Sequence, residues 1–323
     1  MAVNDKIKFS DYNNIRSKVE GIMGSGSVNS GYGQSLVSSA VADGNTVTIN
    51  EWANLRYDII NARVHQTGSL PSPVAVVEGN TIRYSAVDAP VTTYDTLANS
   101  VVTDKFTVGA GQFATNVPSD PSTRTGSWVS SLSCTVQFYW ANATQARYFF
   151  NSGGQVRVTA SRSGGVSSQQ NTAWTSLLSS SGTRSFGGNN PDTGTSPATG
   201  TNWYRCTNSF QTYYSASSSS PYGSNSYQLQ ARTADVASNA SGTSASGEIR
   251  LVFTDGYTDP VPQPVAPDGF TPPASQFPPG DVVDGTLTIS LDLIYATGIL
   301  YPTGFGNFTV TNPTVAISSI TGS

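Results

Sequence analysis

The sequence predicts a mainly β fold: a decorated β-sandwich with a small N-terminal two-helix module and a Pro-rich spacer before C-terminal strands. Three observations predict it. Apolar residues recur with period two in several short runs after Leu70. Gly, Ser and Asn turns separate those runs, as they do in sandwiches. Charged residues make up only 11 % of the 323 residues, against about 25 % in typical soluble proteins. The surface must instead be covered by hydroxyls and amides, which 46 serines and 37 threonines supply.

The helical module is expected over residues 1–70. In residues 9–24, Tyr12, Ile15, Val19 and Ile22 recur at helical spacing, with Ser10 as N-cap and Gly24 at the C-terminal end. The second helix is better marked. Thr48 and Glu51 have capping-box spacing, and Trp52, Leu55, Ile59, Ile60 and Val64 form one apolar stripe before Gly68. A turn-rich stretch and the strand-like Thr46–Ile49 lie between the two helices. Two amphipathic helices bury little by themselves. The stripe of Trp52, Leu55 and Ile59 is therefore expected to dock on the rest of the chain or on another subunit.

Residues 71–254 are expected to form the sandwich. Alternation is clearest at Leu132, Cys134, Val136, Phe138 and Trp140, and at Val156, Val158 and Ala160. It recurs at Tyr227, Leu229 and Ala231, and at Ile249, Leu251 and Phe253. Two helical excursions interrupt it, at about 142–151 and 166–181, closed by Gly153 and Gly182. The polar loops 187–200 and 215–226 carry almost no apolar residues and are expected to be exposed. Residues 255–283 hold eight prolines and read as an extended spacer. Residues 284–323 then supply strands, among them Leu287, Ile289, Leu291 and Leu293, which pack on the chain's own sheet or on a neighbour's. An arm on a stiff spacer suits strand exchange, so a homo-oligomer is expected, with a trimer favoured.

Charge and residue types exclude several functions. All four lysines (Lys6, Lys8, Lys18, Lys105) lie in the first third, and the net charge is −4, so nucleic acid is not an expected partner. No run approaches the roughly 18–20 apolar residues of a membrane span, and no basic segment leads into an apolar core. Neither membrane insertion nor a secretion signal is expected. Cys134 and Cys206 lack any metal-ligand spacing and read as buried free thiols.

Catalytic chemistry finds little support, and no cofactor or metal is expected. His65 is the only histidine and falls at the predicted end of a helix, where it reads as a partner of the last carbonyls. The glutamates are Glu20, Glu51, Glu78 and Glu248. Asp255 and Asp259 could serve in a cleft or hold a hard cation, although Asp beside Gly is more often a turn former. A polysaccharide depolymerase would need a carboxylate pair and rests on these alone. Of the aromatics that flank the polar loops, Trp203 and Tyr214 read as core, and Tyr204, Tyr213 and Tyr222 as a surface that could face a glycan.

Two stretches carry a resemblance. Residues FSDYNNIRSKVEGIMGSGSVNSGYGQ with TINEWANLRYDIINARVHQTG, and residues QFYWANATQARYFFNSGGQVRVTASRSGG, together about a quarter of the chain, resemble segments of virion structural proteins of marine tailed phages, T4-like cyanophages above all. The resemblance implies a non-enzymatic component of the virion, of tail, neck or fibre type, held to other virion proteins by its N-terminal module. Receptor binding to host surface glycan is the alternative, with capsid decoration or depolymerase activity less favoured.

Overall fold

The computed structural model describes residues 8–24, 36–67, 70–73, 75–77, 90–105, 113–188, 201–258, 283–296 and 310–322. The first helix, α1 (Phe9–Met23), buries Tyr12, Ile15, Val19 and Ile22 as the spacing predicts. Its cap is Lys8 and not Ser10, because the Asp11 carboxylate accepts the Lys8 backbone N–H at 2.7 Å and sets the start earlier. Helix α2 (Ile49–Thr67) begins at the expected capping box. The Thr48 N–H donates to Glu51 at 2.5 Å and the Glu51 N–H to the Thr48 hydroxyl at 3.5 Å. Thr46–Thr48, expected as a strand, is irregular and serves as the approach to that cap.

A third helix, α3 (Pro90–Thr103), lies where the sequence reading placed sheet, and it makes the module three-helical. Val91, Tyr94, Ala98 and Val101 are buried. Pro90 is tolerated at the first helical position, where its missing N–H would have had no helical partner. The change to strand structure therefore comes after Lys105 and not at Leu70.

The module has its own aromatic centre. The Trp52 ring meets Tyr12 edge-on at 5.3 Å and Tyr94 at 5.7 Å, bringing α1, α2 and α3 together. Ion pairs of Lys18 with Asp95 (2.5 Å) and Arg63 with Asp104 (2.6 Å) join the helices at the periphery. Residues 36–48 cross α1 and α2, fixed by Asn13, which exchanges two hydrogen bonds with the Val41 backbone (2.8 and 2.9 Å). Asp58 holds the same segment by accepting the Val37 and Ser38 N–H groups. Trp52, Leu55 and Ile59 are all fully buried in this packing, and Trp52 meets Tyr94 of α3, beyond residue 70, so the stripe docks on the rest of the chain, the first of the two expected partners.

Two antiparallel sheets follow. The first has β1 (Phe113–Asn116) and β2 (Ser122–Thr125) on one side of β9 (Thr286–Ala296), then β4 (Gln155–Ser163) and β5 (Thr183–Gly187). The second runs β10 (Thr314–Ile317), β3 (Ser131–Tyr139), β8 (Ser246–Thr254), β7 (Ser226–Thr233) and β6 (Gln211–Ser217), with β11 (Thr321–Gly322) also on β3. Every predicted inward residue of β3, β4, β7, β8 and β9 is buried. The sheets face one another as a sandwich: Phe138 of β3 lies 6.2 Å from Phe186 of β5, which lies 5.4 Å from Tyr213 of β6.

Helix α4 (Ala143–Asn151) closes one end of the sandwich, capped by Asn142, whose side chain accepts the Gln145 N–H. Its Phe149 and Phe150 join Trp140 and Trp203, and Phe150 stacks on Trp203 at 4.7 Å. The C-terminal strands complete the chain's own sheets. β9 pairs with β4 over nine residues, from Gln155↔Ile294 to Ser163↔Thr286. The Trp140 indole N–H reaches the Thr311 carbonyl at 2.9 Å beside β10. Most of the Pro-rich stretch, residues 259–282, lies outside the described residues, and no described helix is long and apolar enough to cross a membrane.

Candidate functional site

The most distinctive surface of the sandwich is built on helix α5 (Gln169–Ser181), which is pinned at both ends and underneath. Ser168 caps it, accepting the Asn171 N–H at 3.1 Å. Its inner side buries Trp174, packed 6.0 Å from Trp128 and 6.4 Å from Phe253. Gln170, fully buried, donates its amide to both oxygens of Asp255 at 2.9 Å. At the C-terminus, the Tyr214 hydroxyl donates to Ser181 (2.9 Å) and accepts from Arg184 (3.0 Å), whose guanidinium lies 3.9 Å over the same ring. Gly182 ends the helix at φ 60°, a left-handed conformation that a side chain would strain.

The N-terminal end is fixed by a polar knot. Arg162, on β4, donates to the carbonyls of Asp284, Gly164 and Asn171 and to the Thr175 hydroxyl. The Asp284 carboxylate accepts the Val166 N–H and the Asn171 amide. The Val166 N–H, joined by the Asn171 amide and the Arg162 charge, holds the Asp284 carboxyl below its ordinary value against a smaller desolvation effect. Gly165, at φ 80°, passes so close that a Cβ would strike that carboxylate.

Held in this way, α5 turns Thr172, Ser176 and Ser180 outward at i, i+4 and i+8. Two grooves run along this face. One, of about 530 Å³, lies between α5 and the loop Ser217–Tyr222. The other, of about 510 Å³, lies between α5 and the turn 162–168, and Thr172 and Ser176 line both. Ser218 ties the loop to the helix by donating to the Ala173 carbonyl at 3.4 Å.

The aromatics expected to face a glycan are placed otherwise. Tyr213 and Tyr222 are buried. The strand register shifts between Thr212 and Tyr214, so the bulge turns two adjacent tyrosines inward, Tyr213 onto Phe186 and Tyr214 onto Tyr227. Tyr222 packs on Tyr257 at 4.6 Å, within reach of the first groove but with little of its ring exposed. Tyr204 is half-buried with its hydroxyl donating to Asn151 at 2.6 Å. Trp203 and Tyr214 belong to the core as expected.

Among the carboxylates, Asp255 is buried against Gln170, while Asp259 and Glu78 lie outside the described residues. Glu248 pairs with Arg232 at 2.6 Å and accepts the Gln137 amide, and Glu20 pairs with Arg16. His65 lies in the last turn of α2. Cys134 and Cys206 are free and buried, as expected, and burial pushes the Cys206 thiol up to about 12. Among the described residues no group of three or more His, Cys, Asp or Glu is placed to hold a metal ion.

Compared with protein-family models, curated proteins and solved structures, the chain matches none of them.

Proposed function

We propose that this protein is a non-enzymatic structural component of a tailed-phage virion, an appendage subunit of tail, neck or fibre type. The observation that carries the reading is the coincidence of two resembling stretches with two packed centres. The first stretch supplies Tyr12 and Trp52, at the heart of the three-helix module. The second runs from β3 through α4 into β4 and supplies Phe138, Trp140 and Phe150, around which the aromatic end of the sandwich is built. In this reading the helical module attaches the subunit to other virion proteins through its outer surface, because Trp52, Leu55 and Ile59 are spent internally. The hydroxyl-rich sandwich projects outward, and the subunit works as a homo-oligomer, a trimer by preference. Immunogold labelling of intact particles with an antibody to the sandwich tests the reading. Label at the tail, neck or fibres is the expected result, and particles without label would overturn it.

A further inference from the structure

We propose that the grooves flanking α5 form a binding site for an uncharged oligosaccharide. The inference stands apart from the protein's place on any particle, since it rests on the chemistry of the groove walls. Three hydroxyls of the helix wall have committed their protons: Thr172 donates to the Ser168 carbonyl (3.0 Å), Thr175 to Asn171 (2.9 Å) and Ser180 to Leu177 (3.0 Å). Those oxygens therefore offer lone pairs to the groove. The facing loop differs, because the exposed Ser217, Ser219 and Ser220 are free rotors that donate or accept. A ligand that fits both walls must carry many groups that donate and accept in turn, as sugar hydroxyls do.

Three further features narrow the ligand. The first groove has no charged lining residue and the second has only Arg162, whose guanidinium is taken up by Asp284, Asn171, Thr175 and Gly164, so neither a phosphate nor a uronate finds a free counter-charge. Its floor of Ala173 and Leu177 is a small apolar patch that suits the C–H face of a pyranose ring. The first groove meets the edge strand β6 only at its last residue, Ser217, and its walls are otherwise side-chain hydroxyls, which gives a peptide backbone little ladder to join. Each groove falls in the range of about 300–1,000 Å³ typical of small-molecule sites, and Thr172 and Ser176 border both.

Saturation-transfer NMR and titration calorimetry on the full chain, with neutral hexasaccharides of glucose, mannose and galactose, test the proposal. Ser176→Tyr fills both grooves from an exposed helix position, and Asn99→Tyr on α3 is the remote control. Binding of at least one neutral hexasaccharide is expected, weakened by about tenfold or more in Ser176→Tyr and unchanged in Asn99→Tyr. Absence of transfer from every neutral sugar, equal binding by all three proteins, or binding confined to a uronate oligosaccharide or a Ser/Thr-rich peptide would each overturn it.

Discussion

Asn171 and Asp284, 113 residues apart, bond in both directions. The Asn171 amide donates to the Asp284 carboxylate, and the Asp284 backbone N–H returns to the Asn171 side-chain oxygen at 3.1 Å. The pair joins the first turn of α5 to the entry of β9 and so couples the groove-bearing helix to the strand in the middle of the first sheet. Asn171→Ala removes hydrogen bonds to part-buried partners that water can reach and is expected to cost about 0.5–1.5 kcal/mol, read as a lower urea midpoint at unchanged slope.

The same knot gives the protein an acid-sensitive element. Asp284 has a folded-state pKa below its unfolded value, because it accepts the Val166 N–H and the Asn171 amide and faces Arg162. The stability it contributes is therefore present above an unfolded Asp pKa of about 3.9 and is lost as pH falls through the lower folded value. Asp284→Asn should be less stable than the parent near neutral pH, and the gap should narrow as pH falls below the unfolded Asp value of about 3.9. A gap that stays constant with pH would mean that the carboxylate's charge contributes nothing.

Trp52 is the keystone of the helical module, touching both Tyr12 and Tyr94. Trp52→Ala is expected to cost about 3–5 kcal/mol and to unfold α1–α3 while leaving the sandwich folded. Helical circular dichroism should fall while the near-UV signal of Trp140, Trp174 and Trp203 survives. Simultaneous loss of both signals would show that the module and the sandwich unfold as one unit.

Cys134 and Cys206 test burial directly. Burial raises both thiols, Cys206 to about 12 and Cys134 against a partial offset from Ser318, so neither supplies much thiolate near pH 8. Iodoacetamide should modify neither in the native protein and both in guanidinium, as read by intact mass. Rapid native labelling of Cys206 would contradict its placement.

What could be read in advance follows from where the signal is local. Strands β3, β4, β7, β8 and β9 announce themselves because one face of each is buried and the period is two. Helices α4 and α5 are marked by the glycines that close them, Gly153 and Gly182. α3 was missed, although Val91, Tyr94, Ala98 and Val101 keep helical spacing behind Pro90; its β-branched Val and Thr residues look like strand. Tyr213 was misplaced because strict alternation fails at a bulge, and a bulge leaves no local mark in a run of two tyrosines. The grooves were not legible at all. Serines of α5 and of residues 217–220 meet only in the folded chain, and a serine run reads as plain surface whether or not it faces another.

The C-terminal strands decide how the sandwich is completed. The sequence left open whether residues 284–323 pack at home or on a neighbour, and strand exchange favoured the second. In the fold β9 is an interior strand, with β4 on one edge and β1 and β2 on the other, and Leu287, Ile289, Leu291 and Leu293 buried. Removing it would leave the facing edges of β4 and of β1/β2 without ladder partners and expose the row of apolar side chains beneath. A chain ending at Thr258 should therefore lose the cooperative unfolding transition and aggregate. Supplying residues 283–323 in trans during refolding should restore a soluble complex through the nine-residue β4–β9 register. Leu291→Ala in the full chain should cost about 2–5 kcal/mol and leave the mass measured by light scattering unchanged, because the strand it weakens belongs to its own subunit. If that substitution instead shifts the full chain from oligomer to monomer, β9 is exchanged between subunits in solution. A soluble, cooperatively folded chain ending at Thr258 would show that β9 is dispensable to the sheet.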